Sequence, residues 1–492
     1  MLPKISPQQK SCVREAKESN QSLAINSVAG SGKTFTLGKV SQSLRGTGIS
    51  TSFSRETTLE LGNKISPSFP ARTMHGIGKD AIASHFGKCQ VDSKNQKTHS
   101  FVKQTLEELA ESPKLIFPIL SLIDKAQTAG IVPEHHKYLI EDTEENWITL
   151  AEKYDIRYSP LIHHIARSAL IHSNTLALKE QIISFNDMLY IPLFFPIRVL
   201  QHSIVIIDEA QDLSPIQHAL LRKMLRRNGR IIAAGDKNQA IYAFRGALND
   251  SFSKLSDEFQ TKNLSLTVSF RCPQAVVTEA KIYVPEIESA PSAIVGDVIH
   301  HEELRLTSLP RTILCRNNAP LIKTALKLFT KGHSVEVAGR DVGIGLKALT
   351  TRIASGRNSN LMKSSDFLSR LLAWRGKELL RNPWAKERIK DKVETFMALS
   401  RVHPTLGDIR KHIDSLYIDP RDKNRRTVEF HFTTIHKAKG REWEEVLFLD
   451  PKLIPSKYAT TPQELQQERN LAYVGITRAQ KILHYCNSEN IY

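Results

Sequence analysis

The sequence has 492 residues, several times the size of a typical domain, so we expect more than one hydrophobic core. A hydrophobic content of 40% and a charged content of 24% are those of a globular chain and exclude collagen-like and disorder-dominated classes. The formal net charge of +17 favours a polyanionic partner such as nucleic acid, with a merely basic surface as the alternative.

The cysteines and the apolar segments bear on the cellular compartment. The five cysteines are scattered and form no C-x-x-C pair, which predicts reduced thiols and not a disulfide framework or a zinc site. The first ten residues, "MLPKISPQQK", contain no apolar core of a signal peptide. The most apolar run, "LYIPLFFPIRVL" from Leu189, is too short to span a bilayer and contains prolines. We therefore expect a cytoplasmic, nucleoid or nuclear protein without a membrane partner.

The first predicted unit in chain order is a strand, a glycine-rich turn and a helix in "SLAINSVAGSGKTFTLGKVSQSL" from Ser22. Continuous apolar runs predict further buried strands in "ISTSFS", "SIVIIDEA", "RIIAAGD", "RTILCR" and "EEVLFLD". Such runs, separated by helical stretches, predict an α/β fold with mostly parallel sheets.

Two segments break this alternation and are predicted to be mostly helical inserts, because apolar residues recur there at spacings of three and four. Each separates strand-bearing segments, so both sheet domains are expected to be discontinuous in sequence. The predicted organisation is a first sheet domain from residues 1–75 and 181–260 with an insert at 76–180, and a second from 261–340 and 428–492 with an insert at 341–427.

The turn "SVAGSGKT", residues 27–34, has the composition of a phosphate-binding loop that would hold a nucleoside triphosphate. Backbone N–H groups and the start of the next helix would face the phosphates, Lys33 would supply a positive charge, and Thr34 would offer a hydroxyl to Mg²⁺. A serine replaces the first glycine of the usual pattern, and a glycine-serine turn without a nucleotide is the alternative. The residues predicted to contact the nucleotide here are Ala29, Gly30, Ser31, Gly32, Lys33 and Thr34.

An acidic pair follows the predicted strand "SIVIIDEAQD". At the mouth of a parallel sheet, Asp208 would bind the metal and Glu209 would act as the base that orients and deprotonates water. Taken alone, such a pair is also typical of a helix amino-terminal cap.

Further motifs follow in order: "ARTMHG", "AAGDKNQAIYAFRGA", "LTVSFRCP", "TTIHKAKGREW" and "ERNLAYVGITRAQ". Together with the loop and the acidic pair, they closely resemble the ordered motifs of superfamily 1 helicases of the UvrD, Rep and PcrA type. The resemblance implies two RecA-like P-loop NTPase domains, each interrupted by an insert. It also implies Mg²⁺-dependent ATP hydrolysis that drives 3′ to 5′ movement on single-stranded DNA and unwinding at junctions with duplex.

The resemblance also implies roles for individual residues. Gln9 matches the glutamine that contacts adenine, Phe270 the aromatic that stacks on it, and Glu442 the acidic residue near the ribose. Arg271 and Arg478 match two arginine fingers, which in related phosphoryl-transfer systems contribute roughly 10³ to 10⁵ in rate. The residue matching the glutamine that links the γ-phosphate to the DNA site is Gln239.

For DNA, the resemblance implies contacts from aromatic, hydroxyl-bearing and basic side chains, and aromatic stacking suits a motor that must accept every base. The implied residues are Phe53, Thr73, His75, Tyr242, Phe244, Arg245, Arg316, Asn318, Thr434 and His436. The sequence departs from the family at three points. Phe244 stands where the family most often has tryptophan, and "PKLIPSKY" has only a proline where the family usually has a short aromatic-proline element that contacts DNA. The second insert, with about 87 residues, is much shorter than the corresponding domain of the large bacterial enzymes.

Two functions remain open at this point. The first is a DNA helicase or translocase, and the second is a DNA-sensing ATPase subunit that controls a partner such as a nuclease, for example in anti-phage defence. The basic runs "RNPWAKERIKDK" and "RDKNRR" in the second insert would touch duplex DNA or form solvated helix faces.

Overall fold

The computed structural model describes residues 5–52, 54–134, 137–154, 156–241, 250–354, 356, 358–381, 385–417 and 428–492. The chain divides into two compact units, Met1–Leu266 and Thr267–Tyr492, and each is described by itself. In the described part of the chain, none of the helices is both long enough and apolar enough to cross a membrane.

The first unit alternates strands and helices. Its strands are β1 (Leu23–Ser27), β2 (Ile49–Thr51), β3 (Gln90–Val91), β4 (Ile182–Ile183), β5 (His202–Ile207), β6 (Leu225–Gly235) and β7 (Lys262–Leu266). Its helices are α1 (Pro7–Glu18), α2 (Lys33–Ser43), α3 (Arg55–Gly62), α4 (Met74–Phe86), α5 (Gln96–Glu108), α6 (Ile116–Ala129), α7 (Glu144–Tyr154), α8 (Pro160–Lys179), α9 (Phe185–Phe194), α10 (Pro215–Met224) and α11 (Ser251–Glu258).

The main sheet of the first unit is parallel, and its described strands lie in the order β2-β5-β6-β1-β7. Successive side chains of a strand point to opposite faces, so β5 contributes to two cores. Ile204 and Ile206 pack with residues of α1 and α2, whereas Val205 and Ile207 belong to the core that contains the helices α4 to α10. Both faces are covered, which explains the continuous apolar runs in the sequence.

The helices of the first insert are joined to α9 by a buried ion pair. Lys97 Nζ lies 2.6 Å from Asp187 Oδ2, and both side chains are almost fully buried. Lys97 also donates hydrogen bonds to the carbonyls of Ser173 and Ile182, and Gln127 donates to Asp187. A buried charge pair of this kind is stable only when its remaining hydrogen-bonding capacity is used, as it is here.

The second unit has the same alternation. Its strands are β8 (Val268–Ser269), β9 (Glu288–Ser289), β10 (Asp297–His300), β11 (Thr312–Cys315), β12 (Val335–Val337), β13 (Phe430–Thr434), β14 (Trp443–Leu449) and β15 (Ala479–Cys486). Its helices are α12 (Gln274–Ala280), α13 (Asn318–Phe329), α14 (Arg340–Ile353), α15 (Ser364–Arg381), α16 (Lys386–Val402), α17 (Leu406–Leu416), α18 (Ile435–Ala438) and α19 (Pro462–Ile476).

The main sheet of this unit is also parallel, with its described strands in the order β10-β15-β14-β11-β13-β12. Phe432 and Leu447 of the sheet share one core with Phe367 of α15 and Phe396 of α16. The helices of the second insert are therefore packed into the same core as the sheet.

The α/β fold with parallel sheets in two domains is confirmed. The two compact units divide after Leu266, a few residues beyond the predicted boundary between residues 260 and 261. The strand β7 pairs with β1, with Leu23 opposite Lys262, and so belongs to the first sheet. Most of β7 is exposed or half-buried, so it lacks the continuous apolar run by which the other strands were predicted.

Candidate functional site

Three neighbouring strands of the first unit deliver the nucleotide motifs to one edge of the sheet. The strands β5, β6 and β1 are adjacent and parallel, so their carboxyl ends meet at the same edge. The phosphate-binding loop follows β1, the acidic pair follows β5, and the "GDKNQ" segment follows β6. In open parallel sheets, ligands bind at this edge.

The loop after β1 has the backbone of a phosphate cradle. Gly30 and Gly32 both have left-handed backbone angles, with φ of 74° and 79°, and α2 begins directly afterwards at Lys33. A Cβ on Gly32 would lie 2.9 Å from Gln9 Nε2, so this position requires glycine on two grounds. Ser27, which stands in place of the first glycine, is the last residue of β1 and has no left-handed backbone, so this position does not require glycine. Its hydroxyl donates to the carbonyl of Ile25.

Thr34 and Asp208 meet as the predicted metal ligands should. Thr34 Oγ1 donates a hydrogen bond of 2.7 Å to Asp208 Oδ2, and the aspartate is buried. Mg²⁺ in nucleotide sites takes one or two protein oxygens and fills its remaining positions with water and phosphate. This pair of hard oxygen donors fits that requirement.

Lys33 and Glu209 form the second contact between the same two loops. Lys33 Nζ lies 3.5 Å from Glu209 Oε1, and both side chains are largely buried. Glu209 has a left-handed backbone with φ of 56°, which is uncommon for a residue other than glycine and costs free energy. Such strain is often found at functional sites, and here it occurs at the predicted base.

Burial and like charge raise the pKa of the carboxylates at this edge. Burial, followed by the nearby charge of Glu209, raises the pKa of Asp208 to about 6, although Lys33 and the Thr34 hydroxyl oppose the shift. Burial also raises the pKa of Asp236 to about 6. The ionised carboxylates at this edge are therefore destabilised, and a bound cation would stabilise them.

Two residues that the sequence analysis missed connect the motifs. Gln211 donates to Glu209 Oε2 at 2.5 Å, and its Oε1 accepts from the backbone N–H of Asp236 at 3.0 Å. Asp236 Oδ2 in turn accepts from Gln239 Nε2 at 2.7 Å. A continuous chain of hydrogen bonds thus links the predicted base to Gln239. The signal was present in the sequence, because Asp236 follows a buried strand just as Asp208 does.

Gln9 is buried against the loop. Its side-chain Oε1 accepts from the N–H of Ser6 and caps α1, while its Nε2 donates to the carbonyl of Ser31 at 3.1 Å. Gln9 therefore supports the loop directly. Its predicted contact with adenine stays a prediction.

In the second unit, the predicted nucleotide residues gather around two arginines. Phe270 is about half exposed, with 49% of its surface accessible. The neighbouring Arg271 forms an ion pair with Glu442, which also accepts from Gln480. Cys272 Sγ lies 3.7 Å from the carbonyl of Thr477, so the "SFRCP" and "GITRAQ" segments are in contact.

Arg478 is buried in this unit with all of its guanidinium nitrogens engaged. It donates to the carbonyls of Val474 and Arg441 at 2.9 and 3.0 Å and to the hydroxyl of Thr477 at 3.2 Å. Burial and, after it, the charge of Arg271 lower the pKa of Arg478 to about 10. Each guanidinium nitrogen of the predicted finger thus already donates to an internal acceptor.

Two predicted DNA residues of the first unit, Thr73 and His75, lie at the start of α4. Thr73 caps this helix by accepting from the N–H of Gly76 at 3.0 Å. His75 is half-buried, burial lowers its pKa, and its ring contacts Phe185 edge-on at 6.4 Å between centroids. Phe185 is 52% exposed, and the sequence analysis missed it because one aromatic at a helix start carries no distinctive pattern.

Four predicted DNA contacts, Phe53, Tyr242, Phe244 and Arg245, lie outside the described residues. Their roles stay predictions.

Arg316, predicted to contact DNA, is instead held inside the second unit. It donates two hydrogen bonds to Glu468 at 2.7 and 2.8 Å and one to Glu387 of α16 at 2.5 Å. Only 12% of its side chain is exposed, and these carboxylates raise its pKa against the effect of burial. Acidic residues from distant parts of the chain thus hold this side chain, and its predicted contact with DNA stays a prediction.

Asn318, the neighbouring predicted DNA contact, is also engaged. Its backbone N–H and its Nδ2 both donate to Asp391 of α16, which accepts from the N–H of Ala319 as well. Asp391 thereby caps the start of α13, where an anion is favoured. The carboxyl end of β11 is thus joined to the second insert.

The last predicted DNA residues follow the adjacent strand β13. Cys315 pairs with Thr434 in the sheet, so this segment shares an edge with Arg316. Thr434 is buried at the start of α18, and His436 is half-buried.

Comparisons with known proteins agree with these motifs. A family model described as the UvrD/REP helicase N-terminal domain matches residues 5–260, and one described as the UvrD-like helicase C-terminal domain matches residues 429–484. F-box DNA helicase protein 1 of Schizosaccharomyces pombe is 23% identical, with 97% of this chain and 57% of that protein covered. F-box DNA helicase 1 of Gallus gallus is 22% identical, with 98% of this chain and 49% of that protein covered.

A similar solved structure, of the arterivirus nonstructural protein 10 helicase, covers 97% of this chain and 61% of that chain with 13% identity and a TM-score of 0.35. The chain spans about half the length of the curated relatives it matches.

Proposed function

The chain belongs to the UvrD/REP helicase family, and we propose from this premise that it is a DNA-dependent ATPase that moves along single-stranded DNA and unwinds duplex. Family membership suggests 3′ to 5′ movement, with Mg²⁺ and ATP as the cofactor and fuel. The observation that carries the proposal is the double contact at the first sheet's edge, Thr34 with Asp208 and Lys33 with Glu209.

This arrangement supports ATP hydrolysis residue by residue. The N–H groups of the loop and the start of α2 would bind the phosphates, with Lys33 countering their charge. Thr34 and Asp208 would hold Mg²⁺, which when bound neutralises charge on the β- and γ-phosphates. Glu209 would orient water and accept its proton, and the hydrogen bond from Gln211 keeps that carboxylate in place.

The second unit would complete the reaction. Arg271 and Arg478 are proposed to stabilise the charge that develops on the transferred phosphoryl group, and Phe270 to stack on adenine through its exposed ring. Fingers supplied by a separate domain make hydrolysis depend on the closure of the two domains, and such closure would drive movement along the strand.

Single-stranded DNA is the proposed track. Thr73, His75 and Phe185 offer a helix start and two rings at one place in the first unit. Exposed rings of this kind stack on bases without sequence preference and contribute about 1 to 3 kcal/mol per base. Phe185 is thus added to the proposed DNA contacts.

The deciding experiment is steady-state ATP hydrolysis at low salt, with and without single-stranded DNA, using Lys33→Ala as the blank. Loss of Lys33 removes a fixed charge from the phosphate site and is expected to lower hydrolysis by at least about 10²-fold, with strand binding retained. Strong stimulation of the wild type by DNA, followed by strand displacement from 3′-tailed but not 5′-tailed duplexes, is the expected result.

Three results would contradict parts of this proposal. Hydrolysis retained in Lys33→Ala would overturn the assignment of the phosphate loop. A wild-type protein that binds ATP but is not stimulated by DNA would contradict the motor and favour an ATPase that a protein partner controls, such as a nuclease or a repair factor. Displacement from 5′-tailed duplexes would overturn the proposed polarity alone.

A further inference from the structure

A cluster of basic residues lies on the first unit at the amino-terminal ends of β5 and β6, which is the edge of the sheet opposite to the one that carries the nucleotide motifs. Residues 221–230, "LRKMLRRNGR", contain five arginines and lysines and no acidic residue. They run from the end of α10 into the amino-terminal part of β6. The proposed function uses none of them.

The ladder between β5 and β6 is irregular here. His202 pairs with Leu225, whereas the next registered pair is Ile204 with Arg230. The strand β6 thus advances five residues while β5 advances two, and residues 226–229 loop out of the ladder. We call residues 226–229 the arginine bulge. Bulges of this kind often re-aim side chains at functional sites.

The basic residues flanking the arginine bulge have partners within the protein. Arg222 pairs with Glu258 at 2.7 Å, Lys223 donates to the carbonyl of Pro192 at 2.5 Å, and Arg230 donates to the carbonyl of Ala16 at 2.7 Å. These residues fix the base of the arginine bulge to α9, α11 and the end of α1.

Arg226 and Arg227, at the tip, are both exposed. Arg226 donates only a weak hydrogen bond of 3.3 Å to Ser203. Within the described part of the chain, neither arginine has an ion-pair partner. The structure therefore presents two arginines to solvent on a support that three neighbouring basic residues hold in place.

We propose that the arginine bulge is a second nucleic-acid contact that binds the sugar-phosphate backbone of duplex DNA. This inference rests on the proposed DNA-binding function. Guanidinium groups match phosphate oxygens in a two-pronged geometry, and contacts to duplex DNA go mostly to its phosphates. Residues 226–229 contain no aromatic residue on which an unpaired base could stack, which favours duplex over single strand.

The site is separate from the proposed track, because Ala71 forms a parallel bridge with Ser50 of β2 and the chain runs on from there to Thr73, toward the carboxyl edge of the sheet. The strand β5 has six residues at about 3.3 Å each, so the arginine bulge lies about 20 Å from the edge that carries Asp208. Duplex held there would remain bound to the first unit while the track residues at the other edge release and rebind the single strand.

The test compares the affinity for a blunt duplex at several salt concentrations. The variant is Arg226→Glu with Arg227→Glu, and the control is Arg305→Glu with Lys331→Glu, an exposed pair in the second unit with the same change in charge. Each phosphate contact contributes close to one unit to the slope of log K against log salt, so the slope of the variant is expected to be about two units shallower. The control, and Arg226→Lys with Arg227→Lys, should keep the wild-type slope.

Several outcomes would overturn the inference: an unchanged duplex slope, an equal loss in the control pair, or an equal loss of single-strand affinity. Binding of polyglutamate that depends on the arginine bulge, without any effect on duplex, would assign the surface to an acidic protein instead. Stimulation of ATP hydrolysis by single-stranded DNA should be unchanged in the variant. Normal stimulation with unaltered duplex binding would refute only this inference, whereas no stimulation in the wild type would refute the proposed function.

Discussion

The motif residues of the two units differ in how far the fold preorganises them for binding a phosphate. In the first unit, strand ends and a left-handed turn already hold Lys33, Thr34 and Asp208 around the proposed site of the phosphates. In the second unit, every guanidinium nitrogen of Arg478 and of Arg316 already donates to an internal acceptor. The first site is therefore preorganised, whereas each arginine would give up internal partners in order to bind a phosphate in a two-pronged geometry.

The largest expected effect is that of Arg478→Ala on ATP turnover. If Arg478 leaves its internal acceptors to reach the transferred phosphoryl group, its loss should lower single-turnover hydrolysis by roughly 10³ to 10⁵, with ATP still bound. Thr477→Val is the matched control, because it removes one acceptor of the guanidinium and leaves the arginine in place. A small rate loss that both variants share would mean that Arg478 only supports the fold.

Arg316→Ala tests whether Arg316 stabilises the second unit through its internal partners, because its loss should then lower the free energy of unfolding. The substitution leaves Glu468, of which only 10% is exposed, as an uncompensated carboxylate beside Glu387. Breaking a buried ion pair in this way should lower the free energy of unfolding by about 3 to 5 kcal/mol in a denaturant titration.

Arg316→Met combined with Glu468→Gln should recover much of that loss, because the buried charge is then removed on both sides. A loss below about 1 kcal/mol in Arg316→Ala, together with weaker strand binding, would instead support the DNA contact that the sequence implied.

The same contrast explains which parts of the molecule were predictable from sequence. The sites of Lys33, Thr34 and Asp208 depend on local signals, since a glycine-rich turn or an acidic residue directly follows a buried strand. The parallel sheets were predictable for the same reason, apart from β7, whose polar side chains disguise an edge strand.

The partners of the arginines could not be found in this way. Glu387 and Glu468 lie 71 and 152 residues beyond Arg316, and a single sequence carries no signal that such distant side chains meet. Likewise, the spacing of "DEAQD" and "GDKNQ" gives no reason to expect that Gln211 joins the two motifs. Long-range polar contacts depend on the completed packing.

The preorganisation of the first site should be visible in how the free energy of unfolding depends on pH when neither nucleotide nor metal is present. Asp236 gives up its proton near its ordinary pKa of 3.8 in the unfolded chain but only at about 6 in the folded protein. Between these values the folded state binds more protons, so this residue lowers the free energy of unfolding as pH rises.

Asp236→Asn removes that dependence. In EDTA, the variant should gain stability relative to the wild type by up to about 3 kcal/mol between pH 4 and pH 7. The measurement is the difference between the two unfolding curves at each pH, which cancels the other titrating groups. A constant difference across this range would contradict the raised pKa of Asp236.

The smallest expected effect concerns Phe270, a proposed nucleotide contact of the second unit whose half-exposed ring needs no internal rearrangement to stack on a base. Phe270→Ala should raise the KM for ATP by about tenfold, since stacking on a base contributes about 1 to 3 kcal/mol, and kcat should change little. Phe270→Tyr keeps the ring and should restore the KM. Because the side chain is half exposed, its loss should leave the thermal midpoint of unfolding nearly unchanged. An unchanged KM with a clearly lower midpoint would show that the ring packs within its own unit, and the second unit would then present no nucleotide contact that is ready in advance.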